Sequence, residues 1–295
     1  MIYNFIKENK PEGISFKKVY QELGVSSSGY FKHLKRQQQL KSERLSEQEV
    51  LKAFKLHKGL YGYRKLFYYL KQKQDVNLSL SQVRLILKKQ ALKSKTRRIF
   101  KPCTSQTSYS NKISQRVYKL GETKLSGLNQ VWLSDITYLS VSGGGFIYLS
   151  LFLDAFSRKI VAWDLSTSLS SQSVLTAFYK ALRTRSVSKG LIVHSDRGVQ
   201  YTSKAFRDKL KELGFIQSMS RKGNCYDNAQ CESCFSLLKR ELGNKVYLSR
   251  KEAKSNIFEW IEAWYNTKRL HSALGYKSPV EFEKIIDNNT NYTLT

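Results

Sequence analysis

The hydrophobic pattern of this chain changes period at residue 130, and that change restricts its fold more than any other feature. Gln130–Val141 alternates among β-formers, Gly143-Gly-Gly makes a tight turn, and Phe146–Leu153 reads as a second strand. Arg158–Asp164 reads as a third. Ser171–Arg183 has helical spacing, Leu191-Ile-Val-His is a short buried strand, Thr202–Leu213 is helical and Phe215–Met219 is a fifth strand. A Gly/Asn-rich loop (223–228) then leads into a helix from about 229 to 242. The expectation for 130–245 is an α/β domain: a five-stranded mixed sheet with flanking helices.

Upstream, residues 1–92 read as an all-α helix-turn-helix region. Phe16-Lys-Lys-Val-Tyr-Gln-Glu-Leu is amphipathic, and Gly24-Val-Ser-Ser-Ser supplies a turn with N-cap hydroxyls before Tyr30-Phe-Lys-His-Leu-Lys-Arg. After a polar, charged stretch (35–48), Ser46 is expected to cap a helix over Glu47–His57. Lys65–Lys71 follows. Ser79 or Ser81 caps a last helix, with Val83, Ile86 and Leu87 on its apolar face. Residues 93–129 read as a basic linker. Residues 246–295 read as a C-terminal helical extension, with a long helix over 250–268 whose apolar side is Phe258, Ile261, Trp264 and Tyr265. Pro279 suits the first turn of a final helix, and the Asn-rich end (287–295) is expected to fray.

Charge narrows the partner. Lys and Arg number 51 against 23 Asp and Glu, a formal net charge of +28, which favours nucleic acid. Arg84, Lys88 and Lys89 on the 81–90 helix, and Arg97 and Arg98 beyond it, are expected to meet DNA phosphates. With 41% hydrophobic residues the chain builds real cores. No apolar run approaches the ~20 residues needed to cross a bilayer, and the start lacks a signal-peptide core, so a cytoplasmic protein without a membrane partner is expected. Cys231-x-x-Cys234, with Cys225 upstream, raises zinc. A fourth ligand is not evident nearby and the pair falls in a helical pattern, so reduced, partly buried thiols are expected.

Three acids stand out against the basic background. Asp135 lies on the first strand, Asp196 just after the fourth and Glu232 on the helix after the fifth, an order that lets them meet. A phosphoryl-transfer site with two metals needs several carboxylates, and Mg²⁺ prefers oxygen ligands while retaining waters. Lys239 shares a helix face with Glu232 and Ser236, where it steers a phosphate or is simply solvated. His194 alternates with Asp196 and either orients it or packs in the core. Asn228 is placed to cap the Glu232 helix, Gly198 to serve a backbone turn and Asp154 to bond a local turn. Trp132 and Phe235 read as core.

Three strands, then helix–strand–helix–strand–helix, is the ribonuclease H order, and at the three acids the chain resembles the retroviral-integrase superfamily. It looks closely like the second-frame transposases of the insertion-sequence three family. Thirty-five residues separate Asp196 from Glu232, Lys239 matches the trailing basic position, and Tyr265-Asn-Thr-Lys-Arg-Leu-His-Ser-Ala-Leu-Gly-Tyr-Lys-Ser-Pro matches the C-terminal signature. Tyr61-Gly-Tyr-Arg and the 81–98 helix resemble the upstream helix-turn-helix. The resemblance implies a ribonuclease H-like core that cuts at element ends and joins the freed 3′-hydroxyl to DNA. It implies two Mg²⁺ (or Mn²⁺) on Asp135, Asp196 and Glu232, and double-stranded terminal repeats and target DNA as partners. It also implies a homo-oligomeric active complex and an upstream-frame protein, fused or separate. The His/Cys zinc module of retroviral integrases is missing; His33 and His57 are lone. Other readings stay open: a ribonuclease H-type nuclease, a catalytically silent DNA-binding repressor, and a tyrosine recombinase using His194, Arg197 and Tyr226, which leaves Asp135 and Glu232 without a task.

Overall fold

The computed structural model describes residues 2–9, 14–73, 78–95, 125–220, 228–243 and 245–292. The chain divides into two compact units, Met1–Thr96 and Arg97–Thr295.

The first unit is helical: α1 (Ile2–Asn9), α2 (Phe16–Glu22), α3 (Ser27–Leu56), α4 (Tyr63–Lys73) and α5 (Leu80–Lys89). Serine hydroxyls start three of these helices. Ser15 accepts from Lys18 N and Ser26 from Gly29 N, while Ser79 and Gln82 form a reciprocal capping box on α5. One helix replaces two expected ones. The 35–48 stretch is not a break, and Ser46 caps nothing because α3 runs through it. The stretch holds Lys, Arg, Gln, Glu and Leu, all good helix formers, without Gly or Pro, and Gln39 bonds Glu43 one turn on. Each end of α3 carries a small core. Ile6, Tyr20 and Tyr30 cluster at the start. At the other end α3, α4 and α5 pack with Val50, Ala53, Leu66, Leu70, Val83 and Leu87 buried. His57 belongs to this packing: its ring stacks on Tyr61 at 4.0 Å, and burial, then the Lys65 charge, holds its pKa down to about 4.

The second unit contains β1 (Val131–Val141), β2 (Gly145–Asp154), β3 (Ile160–Ser166), α6 (Ser171–Thr184), β4 (Ile192–Ser195), α7 (Val199–Thr202), α8 (Lys204–Glu212), β5 (Ile216–Met219), α9 (Ala229–Leu242), α10 (Arg250–Phe258) and α11 (Pro279–Tyr292). The sheet order is β3-β2-β1-β4-β5. β1–β2 and β2–β3 are antiparallel, β1–β4 and β4–β5 parallel, so the sheet is mixed as expected. Alternation sorts the strands onto two cores. Leu133, Leu149, Leu151 and Leu153 pack against Cys231, Cys234, Phe235 and Leu238 of α9. Trp132 and Phe152 pack on the other face with Val174 and Phe178 of α6 and Phe206 and Leu210 of α8.

The helix expected over Thr202–Leu213 is α8, which starts at Lys204 because Ser203 caps it, accepting from Phe206 N, and the short α7 precedes it. Two expectations are corrected here. The 250–268 helix widens into a π-helical segment over Glu259–Tyr265. The wider turn rotates the stripe: Ile257, Trp260, Ile261 and Tyr265 enter the β1–α9 core, whereas Phe258 is 58% exposed. α11 continues through the Asn-rich end to Tyr292.

Candidate active site

The site lies where β1 parts from β4. Parallel pairing spans Val131–Leu133 opposite Ile192–His194, and β4 ends at Ser195. Carried two residues further, the same register would set Asp135 opposite Asp196, at the point where the two strands part. Asp196 is held by its own turn, where Oδ1 accepts from Gly198 N at 2.9 Å. A Cβ on residue 198 would lie 3.0 Å from that oxygen and 2.9 Å from Gln200 Oε1, so any side chain here presses on the carboxylate that the turn holds. Asp135 faces the side of the sheet covered by α9, whose first turn carries Glu232.

Electrostatics ties these acids together. Asp135 is pushed up to about 7, first by burial, which the Ile136 N–H partly offsets, and then by the charges of Asp196 and Glu232. Lys239 opposes the rise. Lys239 itself is lowered by burial and raised by Asp135, and its Nζ lies 4.8 Å over the Tyr138 ring. Among the described residues no three Asp, Glu, His or Cys side chains are grouped so as to hold a metal ion, and the three acids are linked by the charges that Asp135 feels. That donor set fits a hard cation. Mg²⁺ takes one or two carboxylates, keeps waters and accepts phosphate oxygens, and it does not require a complete protein cage. Asp154 stands apart from this set, with its oxygens filled by the N–H groups of Asn129, Phe156 and Ser157.

Ser134, next to Asp135, gathers the three acid-bearing segments. Its hydroxyl donates to Leu151 O and bonds the Tyr201 hydroxyl at 2.8 Å, while its carbonyl accepts from Asn228 Nδ2 at 3.3 Å. Tyr201 follows Asp196 on α7 and Asn228 precedes Glu232 on α9, so all three segments are pinned to one strand residue. Ser134 and Tyr201 were missed in the sequence. Their signal was a polar residue at an inward position of a central strand, which is stable there only when hydrogen-bonded.

One supporting role is corrected, that of Asn228, and His194 takes the packed alternative. Asn228 occupies the N-cap position but makes no side-chain cap bond; its amide reaches β1 instead. His194 is fully buried, with Nδ1 2.9 Å from Ser218 Oγ and Nε2 3.1 Å from Ser220 Oγ. Its ring nitrogens therefore tie β4 to the β5 side rather than reaching toward phosphate. Arg197 Nε donates to Ser220 O, so the cationic clamp of a tyrosine recombinase is not presented. Tyr226, Cys225, Arg97 and Arg98 lie outside the described residues. Cys231 and Cys234 are buried in the core, where burial raises both thiols, Cys234 to about 12. In the helical unit Arg84 and Lys88 are exposed, Arg84 over the Tyr63 ring, and Lys89 pairs with Glu47 at 3.2 Å.

A mixed five-stranded sheet with acids at the parting of β1 and β4 defines an integrase-type catalytic core. Residues 126–225 match the integrase core domain family, residues 213–279 a second integrase core domain family, and residues 41–100 an HTH-like domain. The chain is 34% identical over 96% of its length, and 98% of the relative's, to transposase InsF of insertion sequence IS3A from Escherichia coli strain K12. It is 48% identical over 55% of its length to the IS904 transposase of Lactococcus lactis, of which that match spans 64%. The HTLV-2 integrase catalytic core, solved with magnesium, aligns with 52% of this chain and 96% of its own at 16% identity and a TM-score of 0.40. The chain belongs to the IS3-family transposases, with a DNA-binding helical region and an integrase core. No helix among the described residues is long and apolar enough to cross a membrane.

Proposed function

We propose that this chain cleaves DNA at the ends of an insertion sequence and joins the freed 3′-hydroxyls to target DNA, with Asp135, Asp196 and Glu232 holding two Mg²⁺ (or Mn²⁺). The observation that carries this reading is the acid set at the β1–β4 parting, with Asp135 raised chiefly by burial and further by its two acidic neighbours, and opposed by Lys239. Bound ions of this kind activate water and then a 3′-hydroxyl, and take up charge on the leaving oxygen. Asp135 and Asp196 hold adjacent positions set by strand register and the Gly198 turn, while Glu232 approaches from α9. Lys239 provides a cation beside them for the phosphate whose ester bond is exchanged. Arg84, Lys88 and Lys89, with Arg97 and Arg98, supply phosphate contacts on long DNA, which separates this reading from a small-hybrid nuclease. His194 and Asn228 support the site through the β4–β5 and α9–β1 contacts.

Two DNA ends must be joined in one event, so the active complex is a homo-oligomer on terminal repeats and target DNA, with or without an upstream-frame protein. The domains are 1–92 for DNA binding, 93–129 as linker, 130–245 for catalysis and 246–295 as a helical extension.

The test is cleavage and strand transfer on the element's own end DNA with Mg²⁺, Mn²⁺, Ca²⁺ or EDTA, beside Asp196→Asn and Glu232→Gln. Joining that requires Mg²⁺ or Mn²⁺ and disappears in both variants, with DNA affinity kept, supports the assignment. Joining retained by either variant sinks it, and binding without chemistry in any metal points to a repressor. DNA affinity should fall steeply between roughly 50 and 200 mM salt through counterion release.

A further inference from the structure

An aromatic pair at the free end of the β1–β2 hairpin has no task in the fold's cores or in the acid set. Tyr138 is 58% exposed and Phe146 49% exposed, although both sit on strands whose neighbouring residues are largely buried. Their rings meet edge to face, with centroids 5.2 Å apart and planes at 76°. Lys239 Nζ stands 4.8 Å over the Tyr138 ring, and the same ammonium feels the Asp135 charge. One lysine therefore links the aromatic pair to the acids. Along β1, Tyr138 is three residues past Asp135, about 10 Å at strand spacing, and alternation puts its side chain on the opposite face of the strand, so Lys239 is what connects the two.

The hairpin tip beside the pair is unusually bare. Gly143 and Gly144 take φ of 90° and 84°, which the tight turn needs, and a Cβ on Gly143, Gly144 or Gly145 would meet nothing within 4 Å. The three glycines at the tip put no side chain beside the rings. A cation against two exposed aromatic rings is the combination that binds unpaired nucleotides: phosphate on the positive charge, base on a ring. Resting on the transposase reading above, we infer that Tyr138 and Phe146, with Lys239, form a stacking platform for an unpaired base at the DNA end. The platform holds the strand end open while its scissile phosphate lies at Asp135, Asp196 and Glu232. Stacking is tolerant of base identity, so the platform recognises an unpaired end rather than a sequence.

The experiment uses the full chain with Ca²⁺ and two duplexes of the same end sequence, one blunt and one with unpaired terminal nucleotides, carrying 2-aminopurine at the terminal position. Wild type should bind the unpaired-end duplex about fivefold or more tightly than the blunt one and quench its fluorescence. Tyr138→Ala should lose both the preference and the quenching while keeping its blunt-duplex affinity and melting temperature, whereas Tyr138→Trp should retain both. Phe146→Leu should weaken the preference without abolishing it, because it removes the edge contact but leaves the Tyr138 face. Equal wild-type affinity for the two duplexes without quenching overturns the platform and leaves the transposase reading standing. So does a Tyr138→Ala variant that behaves as wild type or loses both affinities together. Failure of the wild type to bind either duplex overturns the transposase reading and the platform with it.

Discussion

Asp135→Asn should make this protein more stable while removing its activity. The ordinary aspartate pKa of 3.8 is pushed up to about 7 in the fold, chiefly by burial and then by Asp196 and Glu232. Between those two values the folded state holds a proton that the unfolded chain has released. Stability therefore falls as pH rises from about 4 to about 7, and above 7 the whole penalty is present. The span is about three pH units at about 1.4 kcal/mol each, a ceiling of roughly 4 kcal/mol. Solvent reaches part of the carboxylate, and screening brings the expected effect to about 2 kcal/mol. For a unit of this size that corresponds to roughly 4–8 °C in melting temperature. Asparagine keeps an oxygen for the Ile136 N–H and carries no charge, so it escapes the penalty at every pH.

Thermal unfolding in EDTA at pH 5 and pH 8 reads this directly. The variant should melt above wild type at pH 8, with the gap narrowing at pH 5, where Asp135 is protonated in the folded state. Adding Mg²⁺ at pH 8 should then raise the wild type more than the variant, because ligation relieves the repulsion that the substitution has already removed. A gap of equal size at both pH values, or a variant less stable than wild type at pH 8, would refute the account of Asp135 as a repelled carboxylate.

Three further outcomes follow from the geometry. Gly198→Ala forces a Cβ against Asp196 Oδ1 and Gln200 Oε1; joining should drop by about tenfold or more with circular dichroism unchanged, and full activity would show that the Asp196 turn is not required. Tyr201→Phe deletes the hydroxyl that meets Ser134, which should cost about 1 kcal/mol of stability in urea unfolding and lower the rate of strand transfer more than DNA affinity. Arg269→Ala removes the closer of two guanidinium partners from buried Glu241, leaving Arg240 at 3.6 Å and the Trp260 and Trp264 indoles. It should cost about 3–5 kcal/mol in denaturant. Burial pushes the Glu241 pKa up, but Arg269 and the indoles bring it below the usual range. The wild-type contribution is accordingly present at neutral pH and lost as pH falls through the folded value, so the variant's deficit should shrink in acid.

The core strands were legible because burial on alternate faces writes a period of two into residues 131–141 and 145–154, and glycines at 143–145 mark the turn between them. The acids were legible as places in that order, and the strand register adds the neighbour relation of Asp135 and Asp196. Other features lay beyond the pattern. A polar run such as 35–48 is compatible with loop or helix, and what resolves it is the absence of a breaker together with a packed core at each end of α3. The π-helical segment cannot be seen from an α-helical stripe; within it Trp260 and Trp264 both donate to Oε2 of Glu241 on α9, a contact no local pattern carries. Asn228 looked like a cap from its position alone, and only the approach of the Ser134 carbonyl shows where its amide goes.

That approach explains why the site can be open and still exact in position. A closed carboxylate cage would be held together by its own metal, but these acids repel one another and Lys239 only partly offsets them. Their spacing must therefore come from neutral groups behind them. Ser134 provides this, bonding Tyr201 from the Asp196 segment and accepting from Asn228 at the head of the Glu232 helix. The repulsion stays stored in the acids, while the distances are set by hydrogen bonds that carry no charge and do not change with pH. In a chain of net charge +28, DNA is drawn to the surface generally. The three acids, whose charges meet at Asp135, stand against that general field at one place.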